Sequence, residues 1–172
     1  MSISILIDQC LFDKKLFLLQ PLDLTKPIKR IIYLSEKVHK FVNDETNPRA
    51  GKLLSELESF IAGEKLLVSL VPRKARNAKM GLLQPTQNGF WDIRSRDPSP
   101  GLRLIGGFSK KDCFIAMNIY ERWEMSEPEW RAAIRECDLE WADLFTTVTA
   151  KNLPMMTGEN PSDYLSNCVC LD

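Results

Sequence analysis

The sequence predicts an α+β domain in which a helix hairpin packs on a small antiparallel sheet, with a C-terminal helix and extra terminal segments. Three observations support this: two helical patterns around a short polar loop, alternating strand patterns in the middle of the chain, and a capping signal before a later helix. The 172 residues suit one domain with an added arm, and 44% apolar with 27% charged residues excludes wholesale disorder.

The first elements of the chain are expected to be strands. Short apolar runs predict strands over residues 3–7 and 16–19, and the polar residues 13–15 between them predict a turn. Residues 1–24 are therefore interpreted as an N-terminal strand extension of the domain.

Two helices are predicted next. Thr25 precedes a proline and an apolar pattern with a 3.6-residue period, which predicts a helix as far as Val42. Asn47 has the character of an N-cap with Pro48 in the first turn, and Gly63 marks the expected end of the second helix. Helices joined by so short a loop are expected to pack as an antiparallel hairpin.

Beyond residue 64 the pattern becomes that of strands. Residues 66–71 are a β-prone run, and residues 90–96 alternate apolar and polar side chains as a half-buried strand does. The core side is expected for Trp91 and Ile93, and the opposite side for Asp92, Arg94 and Arg96.

Two further strands complete a three-stranded antiparallel meander. They are predicted over residues 102–108 and 113–120, because both runs are apolar and each follows a segment with the composition of a turn. The two turns are expected at residues 97–101 and 109–112.

A last helix is predicted from a capping box formed by Ser126 and Glu129 around Pro128. Its apolar stripe consists of Trp130, Ala133, Ile134, Cys137, Trp141 and Phe145. The residues that follow are rich in Pro, Gly, Ser and Asn, which predicts a loosely attached tail. The chain is thus divided into the N-terminal extension, a domain over 25–145 and a C-terminal tail over 146–172.

Export and metal binding are not expected. Asp8 and Asp13 interrupt the stretch where a signal peptide would be apolar, and no run approaches the length of a membrane span, so a cytoplasmic protein is predicted. The five cysteines are irregularly spaced and His39 is the single histidine, a supply of ligands that does not suit a tetrahedral zinc site. No metal and no cofactor are predicted.

The net charge of zero conceals a division along the chain. Residues 65–122 carry eleven basic and four acidic side chains, whereas residues 123–172 carry three basic and ten acidic ones. A basic middle segment suggests an anionic partner such as a nucleic acid. The alternative is that the basic segment packs against the acidic end of its own chain.

The order of elements and three short motifs resemble the RelE/HigB group of bacterial toxins, which belong to toxin–antitoxin systems. Residues 89–94 (GFWDIR) are similar to the family strand G-L-W/Y-E-L-R, and residues 101–105 (GLRLI) to its G-x-R-hydrophobic strand. Residues 110–116 (KKDCFIA) match the charged turn and apolar strand that follow. The resemblance extends over about residues 48–145.

The resemblance implies cleavage of mRNA, commonly in the ribosomal A site, under the control of an antitoxin protein. Cleavage through the 2′-hydroxyl needs a base, positive charge at the phosphate and an acid for the leaving 5′-oxygen. Arg94 and Arg103 occupy positions where these toxins have functional basic residues, and Arg122 lies near the end of the next predicted strand. Tyr120 and Glu121 are the candidates for the proton transfers.

Further basic residues are candidates for contacts with RNA. They are Arg73, Lys74, Arg76, Lys79, Arg96, Lys110 and Lys111. The sequence also departs from the family in two respects. Asp92 stands at a position that is basic in some active members, and there is no clear counterpart of the C-terminal tyrosine that some members have.

Two other functions remain open at this stage. One is a non-catalytic binding module on the same fold, such as a ParE-like inhibitor of a DNA topoisomerase. The other is a self-inhibited protein-interaction domain in which residues 123–172 dock on residues 65–122 and neutralise them. The partners expected for the toxin are an antitoxin protein and, for a nuclease, mRNA and the ribosome, with no membrane involved.

Overall fold

The computed structural model of the chain describes residues 3–68, 83–85, 89–95, 101–121, 124–145 and 160–170. Its helices are α1 (Ile3–Phe12), α2 (Glu36–Val42), α3 (Pro48–Ile61), α4 (Glu127–Leu144) and α5 (Pro161–Tyr164). Its strands are β1 (Leu16–Leu18), β2 (Ile31–Ser35), β3 (Leu66–Val68), β4 (Leu83–Pro85), β5 (Trp91–Ser95), β6 (Leu102–Lys110), β7 (Cys113–Tyr120) and β8 (Cys168–Cys170).

The described strands form one eight-stranded sheet in the order β1-β2-β7-β6-β5-β4-β3-β8. Strands β5, β6 and β7 are antiparallel neighbours, so the predicted meander is confirmed. The sheet as a whole is larger than the small antiparallel sheet predicted, and it is mixed, because β2 pairs in parallel with β7 and β3 pairs in parallel with both β4 and β8. The chain is thus a mixed helix-and-sheet protein of the α+β type.

Apolar side chains pack on both faces of this sheet. On one face, α2 and α3 cover a cluster that includes Ile32, Leu34, Leu53, Leu57 and Leu104. On the other face, α1 and α4 cover a cluster that includes Ile7, Ile105, Met117, Ile134 and Trp141. Because alternate strand residues point to opposite faces, β6 contributes Leu104 to the first cluster and Ile105 to the second.

The N-terminal prediction is wrong in its first part. Residues 3–7 belong to α1 and not to a strand. So short a run fits either structure, and here the helix forms because Ile7 and Cys10, three positions apart, both enter the core under α4. The turn at residues 13–15 and the following strand β1 are confirmed.

The first predicted helix is also wrong in its first part, because residues 31–35 form β2 and only residues 36–42 are helical. Ser35 ends the strand and caps α2, accepting a hydrogen bond from the backbone N–H of Val38. The second helix is confirmed, with Asn47 as N-cap and Gly63 at a φ of 74° just beyond its end. Helices α2 and α3 pack against each other as the hairpin prediction requires.

A bulge adjusts the pairing of β6 with β7. The register shifts between Ile105 and Gly106, so that Ile105 faces Asn118 while Gly106 faces Ala116. A Cβ atom on Gly106 would lie 2.2 Å from the carbonyl oxygen of Ile115, which explains the need for glycine there. The turn between the two strands is confirmed, with Asp112 at a φ of 60°.

The C-terminal part is predicted correctly as far as α4. The capping box of Ser126 and Glu129 is present, and α4 buries most of the predicted stripe. The expectation of a loosely attached tail is wrong for residues 160–170, because Tyr164 and Leu165 are buried in the core and β8 pairs with β3. Of the predicted strand over residues 66–71, β3 covers 66–68, and the rest lies outside the described residues.

Candidate functional site

Three side chains singled out from the sequence lie in one row across the centre of the sheet. Arg94 on β5 is the direct partner of Arg103 on β6, and Arg103 is in turn the partner of Tyr120 on β7. Residues paired in this way share one face of a sheet, with Cβ atoms about 4.5–5.5 Å apart. We call these three residues the arginine row; it lies on the face that α4 covers, because Tyr120 packs against the cluster under α4.

A buried carboxylate stands beside the row. Asp92 is fully buried, and its Oδ2 accepts a hydrogen bond of 2.9 Å from Nη1 of Arg103. The two residues are diagonal neighbours, since Asp92 is paired with Ile105, two positions along β6 from Arg103. The prediction that Asp92 faces away from Trp91 and Ile93 holds, but its side chain is enclosed and not solvated.

The geometry of the row is suited to holding an anion. Like charges placed directly opposite each other on adjacent strands destabilise a sheet unless something neutralises them. Asp92 supplies one negative charge to Arg103, and a guanidinium can make two charge-assisted hydrogen bonds to a phosphate. Arg103 remains accessible, with 18% of its side chain exposed.

Tyr120 is held by α4 through its ring and its hydroxyl. The hydroxyl lies 3.5 Å from the carbonyl oxygen of Ala133 and 3.4 Å from Oε2 of Glu136, and Trp130 packs edge-on against the ring. Burial, reinforced by the neighbouring Cys137 and Glu136, raises the pKa of Tyr120 far above its usual range. A tyrosine in this position keeps its proton and is a poor general base.

Glu121 is not brought to the row. It follows β7 and forms an ion pair with Arg49 near the beginning of α3. Helix α3 packs on the opposite face of the sheet from α4. The second candidate for proton transfer therefore faces away from the two arginines.

The basic residues predicted to contact RNA are distributed differently. Lys110 and Lys111 are exposed at the far end of β6, and Lys110 lies seven positions beyond Arg103, roughly 23 Å along an extended strand. The structure does not bring these two lysines to the row. Six further predicted site residues lie outside the described part of the chain: Arg73, Lys74, Arg76, Lys79, Arg96 and Arg122.

A second arginine site was missed by sequence reasoning. Arg30 is 1% exposed, and its guanidinium donates to the backbone carbonyl oxygens of Phe60, Glu64, Ser166 and Asn167. Asp112 lies 3.6 Å from Nε, and the guanidinium also stands 4.9 Å from the centre of the Phe60 ring. Burial lowers the pKa of Arg30, and the Asp112 carboxylate opposes that change. No local pattern marks this residue, because its partners come from distant parts of the chain.

The described residues do not support a metal site, a reactive thiol or a membrane-spanning helix. They contain no group of three or more His, Cys, Asp or Glu side chains able to hold a metal ion. Burial raises the pKa of the Cys137 thiol to about 12, which keeps it protonated and unreactive. No described helix is long and apolar enough to cross a bilayer.

Comparison of the chain with protein-family models, with curated proteins and with solved structures found no match in any of the three. Any functional conclusion therefore depends on the residues themselves and on the geometry of the arginine row.

Proposed function

We propose that this chain is a RelE/HigB-like toxin that cleaves mRNA on the ribosome, with the arginine row stabilising the scissile phosphate. The single observation that carries the proposal is the direct cross-strand pairing of Arg94 with Arg103. This pairing brings two arginine side chains to the same face of adjacent strands, and a guanidinium can bind a phosphate through two charge-assisted hydrogen bonds.

The order of the described elements supports the same proposal. Strands, a helix pair, a further strand, an antiparallel meander and a final helix follow one another as β1–β2, α2–α3, β3, β5–β7 and α4, and the chain adds α1, β4, α5 and β8 to them. This is the order on which the resemblance to these toxins was based. Both motif arginines fall on adjacent meander strands, as the resemblance requires.

In this proposal the two arginines act on charge and not on protons. A guanidinium stays protonated at any physiological pH, so Arg94 and Arg103 would stabilise the crowded phosphate as negative charge develops on it. Asp92 orients Arg103 through the 2.9 Å hydrogen bond and limits the repulsion between the two cations.

A second function is favoured by the environment of the two proton-transfer candidates. Tyr120 has a raised pKa and contacts α4, while Glu121 pairs with Arg49. A row that binds anions without a ready acid or base suits a non-catalytic binding module, such as a ParE-like inhibitor of a DNA topoisomerase.

The test is controlled expression in a bacterial host with genome-wide mapping of mRNA 5′ ends. Wild type is compared with the double variant Arg94→Ala/Arg103→Ala. The matched control is Arg131→Ala/Arg135→Ala, which removes the same two charges from the exposed face of α4. Circular dichroism of the purified variants confirms that each is folded.

A ribonuclease toxin predicts growth arrest with new mRNA 5′ ends that disappear in the double variant and persist in the control. Arrest without new ends would replace the nuclease with the topoisomerase-directed alternative. If wild-type protein accumulates in a folded form without arrest or new ends, the toxin proposal is wrong.

A further inference from the structure

The bulge in β7 places Asn118 on the same face of the sheet as the arginine row. Ala116 and Asn118 pair with consecutive residues of β6, so that Met117 between them is the extra residue of the bulge. A bulge breaks the strict alternation of side chains along a strand and can re-aim one of them beside a functional site. Ile105, the β6 partner of Asn118, belongs to the cluster under α4, and residues paired across strands share a face.

Asn118 is a close neighbour of the row. It lies two positions before Tyr120, the direct partner of Arg103, and is therefore a diagonal neighbour of Arg103. Diagonal neighbours on a sheet are about 7–8 Å apart, within reach of long side chains. Asp92 and Asn118 both pair with Ile105, one from each side of β6. The row is thus flanked by a second line of three residues, which ends in a side-chain amide.

The oxygen of this amide is used within the protein. Oδ1 of Asn118 accepts a hydrogen bond of 2.9 Å from the backbone N–H of Ile119. That bond identifies the oxygen, because a backbone N–H pairs only with the acceptor side of an amide. Asn118 is half-buried, and its Nδ2 has no hydrogen-bonding partner within the described part of the chain. The group that Asn118 can offer to a ligand at the row is therefore a donor.

A neutral donor beside two arginines suits the recognition of a base. Contacts to phosphate hold a nucleic acid in place, whereas hydrogen bonds to base edges read its sequence, and asparagine amides commonly make the latter. The bases of single-stranded RNA are open to such contacts along their edges. A donor matches the keto oxygen of guanine or uracil and opposes the amino group that adenine and cytosine carry at the corresponding position.

We propose that Asn118 is a specificity-determining residue of the arginine row and selects guanine or uracil next to the bound phosphate. Its Nδ2 donates to the keto oxygen of the base, while the bond from Ile119 to Oδ1 holds the amide in place. This inference rests on the proposed function, because a base is read only if the phosphate at the row belongs to RNA.

The test compares the bases beside new mRNA 5′ ends after expression of wild type and of two Asn118 variants. Asn118→Asp keeps the acceptor for Ile119 and replaces the amide donor by a second acceptor. Asn118→Leu has a similar shape and neither group. The matched control is Asn43→Asp, the same replacement at an exposed position that ends α2, the helix on the other face of the sheet. Circular dichroism and urea melts of the purified proteins identify any variant that does not fold.

Wild type should cut about tenfold more often at guanine or uracil than at adenine or cytosine, at one position beside the cut. Asn118→Asp should reverse this preference, although its added charge near Arg103 lowers the total number of cuts. Asn118→Leu should cut without a preference at that position. Asn43→Asp should keep the wild-type preference.

The outcomes separate this inference from the proposed function. If folded Asn118 variants keep the wild-type base preference, Asn118 does not read the base, although the nuclease proposal stands. If both variants fold but produce no new ends, Asn118 is needed for cleavage itself and the inference is equally wrong. If wild type produces no new ends, the proposed function fails and the inference fails with it.

Discussion

Two arginine sites in this molecule use the same chemical group in opposite ways. At Arg30 the guanidinium is enclosed, and four backbone carbonyl oxygens, a carboxylate and an aromatic ring surround it. At the arginine row Arg94 and Arg103 are paired across β5 and β6, Asp92 forms an ion pair with Arg103, and part of Arg103 is exposed. The Arg30 site joins distant segments of the fold, whereas the row joins neighbouring strands of one sheet.

The difference lies in the groups that surround each guanidinium. Burial of a charge is tolerated when most of its donors are used within the protein, and at Arg30 both Nη atoms donate to backbone carbonyl oxygens while Nε faces the Asp112 carboxylate. A like-charged pair in register is destabilising unless neighbouring charges offset it, and Asp92 beside Arg103 is one such neighbour. Exposure alone would not separate the two sites as well as the identity of the neighbouring groups does.

The largest effect is expected from Arg30→Met. The replacement keeps much of the volume but leaves the surrounding carbonyl oxygens without their donor and Asp112 without its ion-pair partner. Loss of one member of a buried pair costs about 3–5 kcal/mol of unfolding free energy. Urea denaturation measures it, with Lys52→Ala as the control. A loss below about 1 kcal/mol would show that Arg30 is not a structural centre.

The second largest effect is expected from Gly106→Ala, which tests whether the row depends on the register of β6 against β7. In Gly106→Ala the new Cβ meets the carbonyl oxygen of Ile115, so β6 and β7 must shift. We expect a loss of about 1–3 kcal/mol. The matched control is Gly51→Ala on α3, where nothing lies within 4 Å of the added atom and a gain of about 0.5–1 kcal/mol is expected. If both substitutions change the unfolding free energy equally in denaturant melts, the close approach of Gly106 to Ile115 is contradicted.

Alkaline pH should destabilise the fold through Tyr120 of the row and the neighbouring Cys137. The pKa of Cys137 is about 12 in the folded protein against an ordinary 9.0, so its contribution to stability is complete below pH 9 and is lost as the pH rises toward 12. Tyr120 changes in the same direction. Unfolding free energy should fall above pH 9 by up to about 1.4 kcal/mol per pH unit for each such group. Urea melts of Cys137→Ala should show a shallower decline, and an unchanged slope would exclude this thiol as a cause.

The smallest effect is expected from an anion. Pyrophosphate at constant ionic strength should stabilise the folded protein by about 1 kcal/mol through the row, which corresponds to a rise in melting temperature of about 2–4 °C. The variant Arg94→Ala/Arg103→Ala should lose this rise, whereas Arg131→Ala/Arg135→Ala should retain it. The melting temperatures are measured by differential scanning fluorimetry. If pyrophosphate raises the melting temperature of both variants equally, the effect is a general one of salt and not of the row.

Local signals explain why part of the fold could be predicted from the sequence. Period-two alternation gave β5, and β6 and β7 followed from apolar runs with turn residues between them. The capping box of Ser126 and Glu129 marked the beginning of α4. Arg94 and Arg103 could be assigned to adjacent strands because a short turn between two alternating runs leaves few other pairings.

Where local signals were ambiguous, the predictions failed. An apolar run as short as residues 3–7 fits a helix or a strand, and the 3.6-residue pattern before Val42 combined the end of a strand with the beginning of a helix. The Arg30 site could not be predicted, since it depends on contacts across more than 130 positions. The enclosure of Asp92 beside the row could not be predicted either, since it depends on the place of Asp92 in a central strand.

The long separation between Arg30 and its partners has a consequence for synthesis of the protein. Its guanidinium cannot reach the carbonyl oxygen of Ser166 until 136 further residues have been added. At about 5–20 residues per second this delay is roughly 7–27 s. During that interval the growing chain has β3 without its neighbour β8 and the buried position of Tyr164 unfilled. The nascent protein is therefore expected to bind chaperones until residues 160–170 have left the ribosomal tunnel.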